Sequence, residues 1–227
     1  RFSGAVGMAG KRKAEGGAAG IERLVPVEKR SRERYEHILK EAAALLAEKG
    51  SEAFRISELV ERTGVAFGSL YQYFPDKTAI IGTLAERYNQ AGRDCVARDL
   101  STVKAVRDLH PALCRIVDSY YRMFVEVPAM RDIWQATQAD RALQKLDEED
   151  VDFLSGLLAE AVRRIVPDTP RPALKAWARL VMTLIAAAVR HAITLPAKEA
   201  RLLLATFKRM LPYDLAMLQA NRITGAS

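Results

Sequence analysis

Cysteine is scarce in this chain: two residues, Cys95 and Cys114, among 227. They form no CxxC pair and no disulfide framework, so both read as small apolar residues of a core. Three histidines, His37, His110 and His191, are scattered, and no His/Cys spacing suits a metal. Glycine-rich phosphate loops and nucleophile signatures are also missing, which leaves an enzymatic reading without support. No long hydrophobic run occurs. The longest, Leu180–Val189, contains Thr183 and is flanked by Arg179 and Arg190, whereas a bilayer span needs about 20 residues. No apolar stretch near the N-terminus marks a cleavable signal. The expectation is a cytoplasmic protein with no membrane partner, no metal and no cofactor. Neither a sustained β-type alternation nor a repeat is present, so the fold class reads as all-α.

What the chain does have is apolar residues, 49% of the total, enough for a full core in one large domain or a small one plus a larger one. The formal net charge is +7, a balance that favours polyanionic partners. Most of the excess is N-terminal: Arg1–Tyr35 holds nine Lys/Arg against four Glu. Within it, Arg1–Gly20 is rich in Gly and Ala, carries Lys11-Arg12-Lys13 and has no apolar period. Residues 1–30 therefore read as a disordered basic extension, in which Met8 is a candidate start.

Helical patterns follow. From about Ser31 to Lys49, Tyr35, Ile38, Leu39, Ala42, Leu45 and Leu46 share one face, and Gly50 suits the stop. A short helix spans about Ile56 to Thr63, with Gly64 able to take a positive φ. Another covers about Phe67 to Phe74; Pro75 ends it, and Asp76 can cap the helix that starts at Lys77. His110-Pro111 opens a helix, Pro128 restarts the chain, and Asp147–Phe153 leads into another helix. After a proline-rich break at Pro167–Pro172, helices run from about Pro172 to Leu195 and Pro196 to Leu218, the last interrupted by Pro212.

Ile56–Ala66 is a helix closed by a glycine turn, and Phe67–Phe74 is a second helix directly after it. This is the helix-turn-helix pattern, in which the second helix enters the major groove and the first braces it. Leu70 and Phe74 can pack back onto Tyr35, Leu39 and Leu59, leaving Ser69, Tyr71, Gln72 and Tyr73 to face DNA.

Gly68-Ser69-Leu70-Tyr71-Gln72-Tyr73-Phe74-Pro75-Asp76-Lys77 resembles the signature of the tetracycline-repressor (TetR) family of regulators, and Ile56–Val65 matches at the right offset. The resemblance covers about Ser31 to Leu84. It implies a three-helix DNA-binding domain over 31–78, followed over 79–227 by a larger helical domain that dimerises and encloses an effector pocket. It places Tyr71 and Lys77 on phosphate, and Phe67, Gly68, Ser69, Gln72 and Tyr73 at the groove, with Arg55 and Ser57 at the start of the bracing helix as further contacts. An amide such as Gln72 can pair both ways with adenine. Arg55 stands where the family usually has a capping Thr, which removes a cap at a typical cost of about 1 kcal/mol. The implied partners are double-stranded operator DNA, a second copy of the chain and a small-molecule effector of unknown identity.

In the larger domain, Trp177, Leu180, Val181, Leu184 and Ala188 form one apolar stripe, and Leu203, Phe207 and Met210 another. Paired across a two-fold axis they would make a four-helix interface; the alternative is an intramolecular core. Pocket candidates are Tyr120, Tyr121, Phe124, Trp134, Gln138, Trp177, Thr183 and His191. Together these imply an aromatic-lined cavity with few polar anchors and a largely apolar ligand. The acidic run Asp147–Asp150 is expected to decorate a helix start.

Overall fold

The computed structural model describes residues 12–16, 22–26 and 28–220. The first two segments are strands: β1 (Arg12–Gly16) pairs antiparallel with β2 (Glu22–Pro26), setting Lys13 opposite Val25 and Glu15 opposite Arg23. The expectation of disorder over 1–30 is corrected over these strands, because the ladder gives their backbone amides and carbonyls partners. Leu24 and Val25, the second a strong strand former, were hidden by the Gly- and Ala-rich composition around them. Lys11 and Met8 lie outside the described residues.

The rest is helical, and the chain divides into two compact units. One comprises Arg1–Glu86 with Arg131–Leu146, the other Arg87–Met130 with Asp147–Ser227.

In the first unit, α1 (Lys29–Ala53) buries Tyr35, Ile38, Leu39, Ala42, Leu45 and Leu46, the face its period predicts. Gly50, at φ +75°, interrupts the helical backbone, which then resumes to Ala53 instead of stopping. Helix α2 (Ile56–Thr63) starts at Arg55 without a side-chain cap. It closes on Gly64 at φ +63°, whose N–H donates to the Val60 carbonyl at 2.9 Å. Helix α3 (Phe67–Tyr71) is shorter than expected. Beyond Tyr71 the chain tightens, the N–H groups of Tyr73 and Phe74 both returning to the Leu70 carbonyl at 2.9 and 3.0 Å. Leu59, Leu70 and Phe74 are fully buried, and the Phe74 ring stacks on Tyr35 with centroids 5.0 Å apart. Asp76 accepts the Ala79 N–H at 2.7 Å and so caps α4 (Lys77–Ser101). Most of α6 (Met130–Ala139) also belongs here.

In the second unit, α5 (Val106–Glu126) starts before His110, because Asp108 accepts the N–H groups of Lys104 and Ala105 at 3.0 and 2.8 Å. Pro111 thus sits inside the helix. Helix α7 (Arg141–Ile165) runs into this unit from Asp147 and likewise starts early, within the first unit, where Asp140 accepts the Ala142 N–H at 2.8 Å. The acidic run Asp147–Asp150 therefore lies within a helix and not at its start. Helices α8 (Arg171–Ala192) and α9 (Ala197–Met210) pack on each other and on α5, and α10 (Ala216–Ala220) follows. Among the described residues α8 alone is long and apolar enough, by length and composition, to cross a membrane. Its inner side, from Leu174 through Trp177, Val181 and Ile185 to Val189, is instead core of this unit.

Candidate DNA-binding surface and effector cavity

The candidate reading surface is built on α3. Its inner residue Leu70 anchors the helix, and its outer side presents Phe67, 48% exposed, and Tyr71, 47% exposed. These two rings stack, with centroids 6.3 Å apart and planes within 20° of parallel. Gly68 and Gln72 are exposed beside them, Ser69 is half-buried, and Arg55 and Ser57 are exposed at the start of α2.

Tyr73 is not part of this surface. It is only 4% exposed, and its ring meets Tyr35 edge-on at 5.9 Å. The tightened turn after Tyr71 carries both Tyr73 and Phe74 inward, which corrects the assignment of Tyr73 to the groove.

Lys77 is half-buried, donating from Nζ to the Ser51 carbonyl with its charge 5.9 Å from the Phe54 ring centroid. Burial lowers its pKa, and the neighbouring Arg55 charge acts in the same direction. Lys77 is therefore first a clasp between the end of α1 and the start of α4; its ammonium has three donors, so the bond to Ser51 leaves others for phosphate. Arg55 donates to the carbonyls of Glu52 at 2.6 Å and Phe54 at 3.2 Å. Arg62 pairs with Glu48, and Lys49 with Glu58. These exposed pairs brace α1 against α2 and contribute little stability.

The second unit contains a cavity of about 60 Å³. Its walls are Tyr88, Asn89, Gly92, Cys95 and Val96 from α4, Ile116, Ser119, Tyr120 and Met123 from α5, and Met130. Asp147, Asp150, Val151 and Leu154 from α7 and Met182, Ile185, Ala186 and Arg190 from α8 complete it. Arg190 donates to Asp147 and, at 3.3 Å, to the Tyr120 hydroxyl. Asp150 accepts from Arg93 at 2.6 Å, and the Arg93 guanidinium lies 4.6 Å from the Phe153 ring centroid. Burial raises the Tyr120 pKa, against the Arg190 charge.

Of the eight pocket residues expected from the sequence, only Tyr120 lines this cavity. Phe124 packs edge-on against Tyr120 at 5.2 Å without lining it, and Tyr121 and Trp177 are also outside the lining. Trp134 and Gln138 lie on α6 in the first unit. Thr183 and His191 are exposed on the outer side of α8. The cavity is also more polar than expected, because α7 begins early and turns Asp147 and Asp150 inward. The available signal was Arg190, a charge ending an apolar run, together with carboxylates spaced i, i+3.

Burial raises the Asp150 carboxyl pKa and Asp147 adds to this, while Arg93 and Arg190 oppose it. An acid whose pKa is raised by folding binds more protons folded than unfolded. Its stabilising contribution is complete below the ordinary carboxylate pKa and is lost as pH rises through the folded value. The melting-temperature difference between wild type and Asp150→Asn, followed from about pH 4 to about pH 7, should therefore shift against wild type as pH rises. A pH-independent difference would show that Asp150 is not perturbed.

The outer side of α8 is apolar as well. Ala176, Leu180, Thr183, Leu184, Ala187 and His191 are exposed in i, i+3, i+4 rows, with Leu180 at 55% and Leu184 at 46%. On α9, Leu202 and Met210 are also exposed. The stripe expected on α8 thus splits: Trp177 and Val181 are buried within the chain, Leu180 and Leu184 face outward.

Two family models match. Residues 38–84 match the bacterial regulatory proteins of the tetR family, and residues 107–219 match the tetracyclin repressor-like C-terminal domain. The chain is 42% identical over 53 residues to the uncharacterized HTH-type transcriptional regulator YvdT of Bacillus subtilis (strain 168), covering 23% of this chain and 27% of YvdT. It is 28% identical over 158 residues to the HTH-type transcriptional repressor KstR of Rhodococcus jostii (strain RHA1), covering 64% of this chain and 73% of KstR. The solved structure of the transcriptional regulator FadR from Bacillus subtilis in complex with stearoyl-CoA superposes with a TM-score of 0.58 at 17% identity, over 78% of this chain and 94% of FadR. With the family's helix-turn-helix matched over 38–84 and its C-terminal domain over 107–219, the chain belongs to the TetR family of DNA-binding transcriptional regulators.

Proposed function

We propose that this regulator is a homodimeric cytoplasmic repressor, released from a palindromic operator by a small, largely apolar ligand carrying one polar group. The observation that carries the reading is the exposed Phe67–Tyr71–Gln72 face, set on a fully buried Leu70–Phe74 anchor. A helix presented in this way suits the major groove. Arg55 and Lys77 stand beside it for phosphate contacts, which position the protein without carrying base identity. Repression is supported by the likeness to KstR, named as a repressor. Operator symmetry follows from the dimer: two heads related by a two-fold axis require two half-sites.

The cavity supports the ligand. Three methionines, Met123, Met130 and Met182, stand among its walls, and methionine side chains rearrange readily. At about 60 Å³ the space is far below the roughly 300–1,000 Å³ of small-molecule sites, so a ligand must part the surrounding helices. Arg190 and the Tyr120 hydroxyl are the polar groups that would meet its polar end. The complex of FadR with stearoyl-CoA supports a ligand with a long apolar part for this fold. Helix α4 supplies cavity wall at Tyr88–Val96 and starts at the Lys77 clasp, so displacement of its wall residues offers a route to the head. The ligand shifts the population only by its differential affinity for the two states. A coupling of about 1–3 kcal/mol changes operator affinity some 5- to 150-fold, and operator must weaken the ligand by the same factor.

The test begins with the full chain and a pool of random duplexes. An enriched palindrome is expected. Apolar compounds are then screened by the intrinsic fluorescence of Trp134 and Trp177, and hits are added to the protein–duplex complex. Release by a compound that binds supports the reading. Hits that leave duplex affinity unchanged would leave a DNA binder without effector control.

A further inference from the structure

We infer that Phe67 reads the C5-methyl group of a thymine in each half-site. The inference rests on the proposed entry of α3 into the major groove. The α3 segment Phe67–Tyr71 and the adjoining Gln72 contain no lysine or arginine. The commonest specific contact to guanine, a bidentate Arg or Lys on O6 and N7, is therefore unavailable to this segment. It offers an amide at Gln72, hydroxyls at Ser69 and Tyr71, and one pure hydrocarbon ring, Phe67.

With 48% of its surface exposed, the ring has area left to bury against an apolar group, and the thymine methyl is the apolar group that base edges present in the major groove. The ring is also preorganised. Tyr71 stacks on it at 6.3 Å with nearly parallel planes, which narrows its rotamers before DNA arrives. Gly68, the next residue, has no side chain, and a Cβ built there would meet no atom within 4 Å. Position 68 thus places no side chain between Phe67 and the groove. Tyr71 is accordingly a positioning residue for Phe67 as well as a candidate phosphate contact.

Methyl removal tests this directly. A duplex enriched by the full-length protein is resynthesised with uracil replacing each thymine in turn, at symmetric positions, and affinity is read by fluorescence anisotropy. Uracil keeps the pairing and the adenine opposite, so any contact from Gln72 is preserved. Loss of one buried methyl should weaken binding about fourfold per half-site and about fifteenfold for the pair. Phe67→Ala should bind the thymine duplex more weakly by a similar factor and no longer distinguish uracil from thymine. Phe67→Leu should keep part of the discrimination. Gln72→Ala should alter preference for adenine yet retain the uracil penalty.

Because Phe67 is exposed, the variants should keep the wild-type circular dichroism and melting temperature. Uracil tolerated at every position by the wild type, or a full uracil penalty in Phe67→Ala, overturns the assignment. Failure to enrich any duplex would overturn the proposed DNA reading itself, and this inference with it.

Discussion

Phe74→Ala is expected to lower stability by about 3–5 kcal/mol and to abolish operator binding at ordinary temperatures. The ring is fully buried and stacks on Tyr35 at 5.0 Å, where the turn after α3 meets α1. Its removal leaves a cavity against Tyr35, and that contact holds the end of the recognition helix to α1. For a chain of this length, each kcal/mol moves the melting temperature by about 2–4 °C, so a loss of roughly 10 °C should be seen. The informative comparison is with two neighbours. Tyr73→Phe changes one hydroxyl on a buried ring and should leave affinity close to wild type, because Tyr73 does not face the groove. Tyr71→Ala removes a side chain that is half in solvent, and should weaken DNA binding at an unchanged melting temperature. Calorimetry with anisotropy on the same samples separates these effects. If Phe74→Ala melts like wild type, the packing described for the head is wrong.

The double substitution Leu180→Glu, Leu184→Glu should convert a dimer into a monomer and cut operator affinity by about 10²- to 10⁴-fold. Both leucines point outward from α8, in line with Ala176, and the adjoining α9 exposes Leu202 and Met210 as well. In the monomer the glutamates stand in water at little cost. In a two-fold interface, four unpaired carboxylates would be forced together in an apolar setting. Avidity, not head folding, is what the change removes. Sedimentation at micromolar concentration should therefore give twice 25.2 kDa for the wild type and 25.2 kDa for the variant. The melting of the head and binding to an isolated half-site should stay near wild type. A variant that still sediments as a dimer would place the interface elsewhere on the second unit.

Much of the head was legible because its signals are local. The apolar period of α1, the glycine at 64 and the capping aspartate at 76 each act within a few residues of where they stand. The bounds of α2 and the burial of Leu59, Leu70 and Phe74 followed from spacing alone. Tyr73 did not. Its inward turn depends on two amides sharing the Leu70 carbonyl, and an aromatic residue carries no mark that distinguishes groove from core. The cavity was the least legible part. Thr183, His191, Trp134 and Gln138 are as amphipathic as Tyr120, and nothing in composition reveals which helix faces converge.

By itself the sequence determined the helical class, the helix-turn-helix and the membership of the TetR family, since turn chemistry, apolar period and a contiguous motif are properties of short segments. The tertiary structure alone decided which charges are tied up and which faces remain outward. It set Lys77 on Ser51, Arg190 on Asp147, and Leu180 outward one residue from an inward Val181. The physical reason is that helix rotation and partnership are set by packing between segments distant in the chain. A shift of one residue, or of one cap such as Asp140, turns a carboxylate from solvent into a cavity wall.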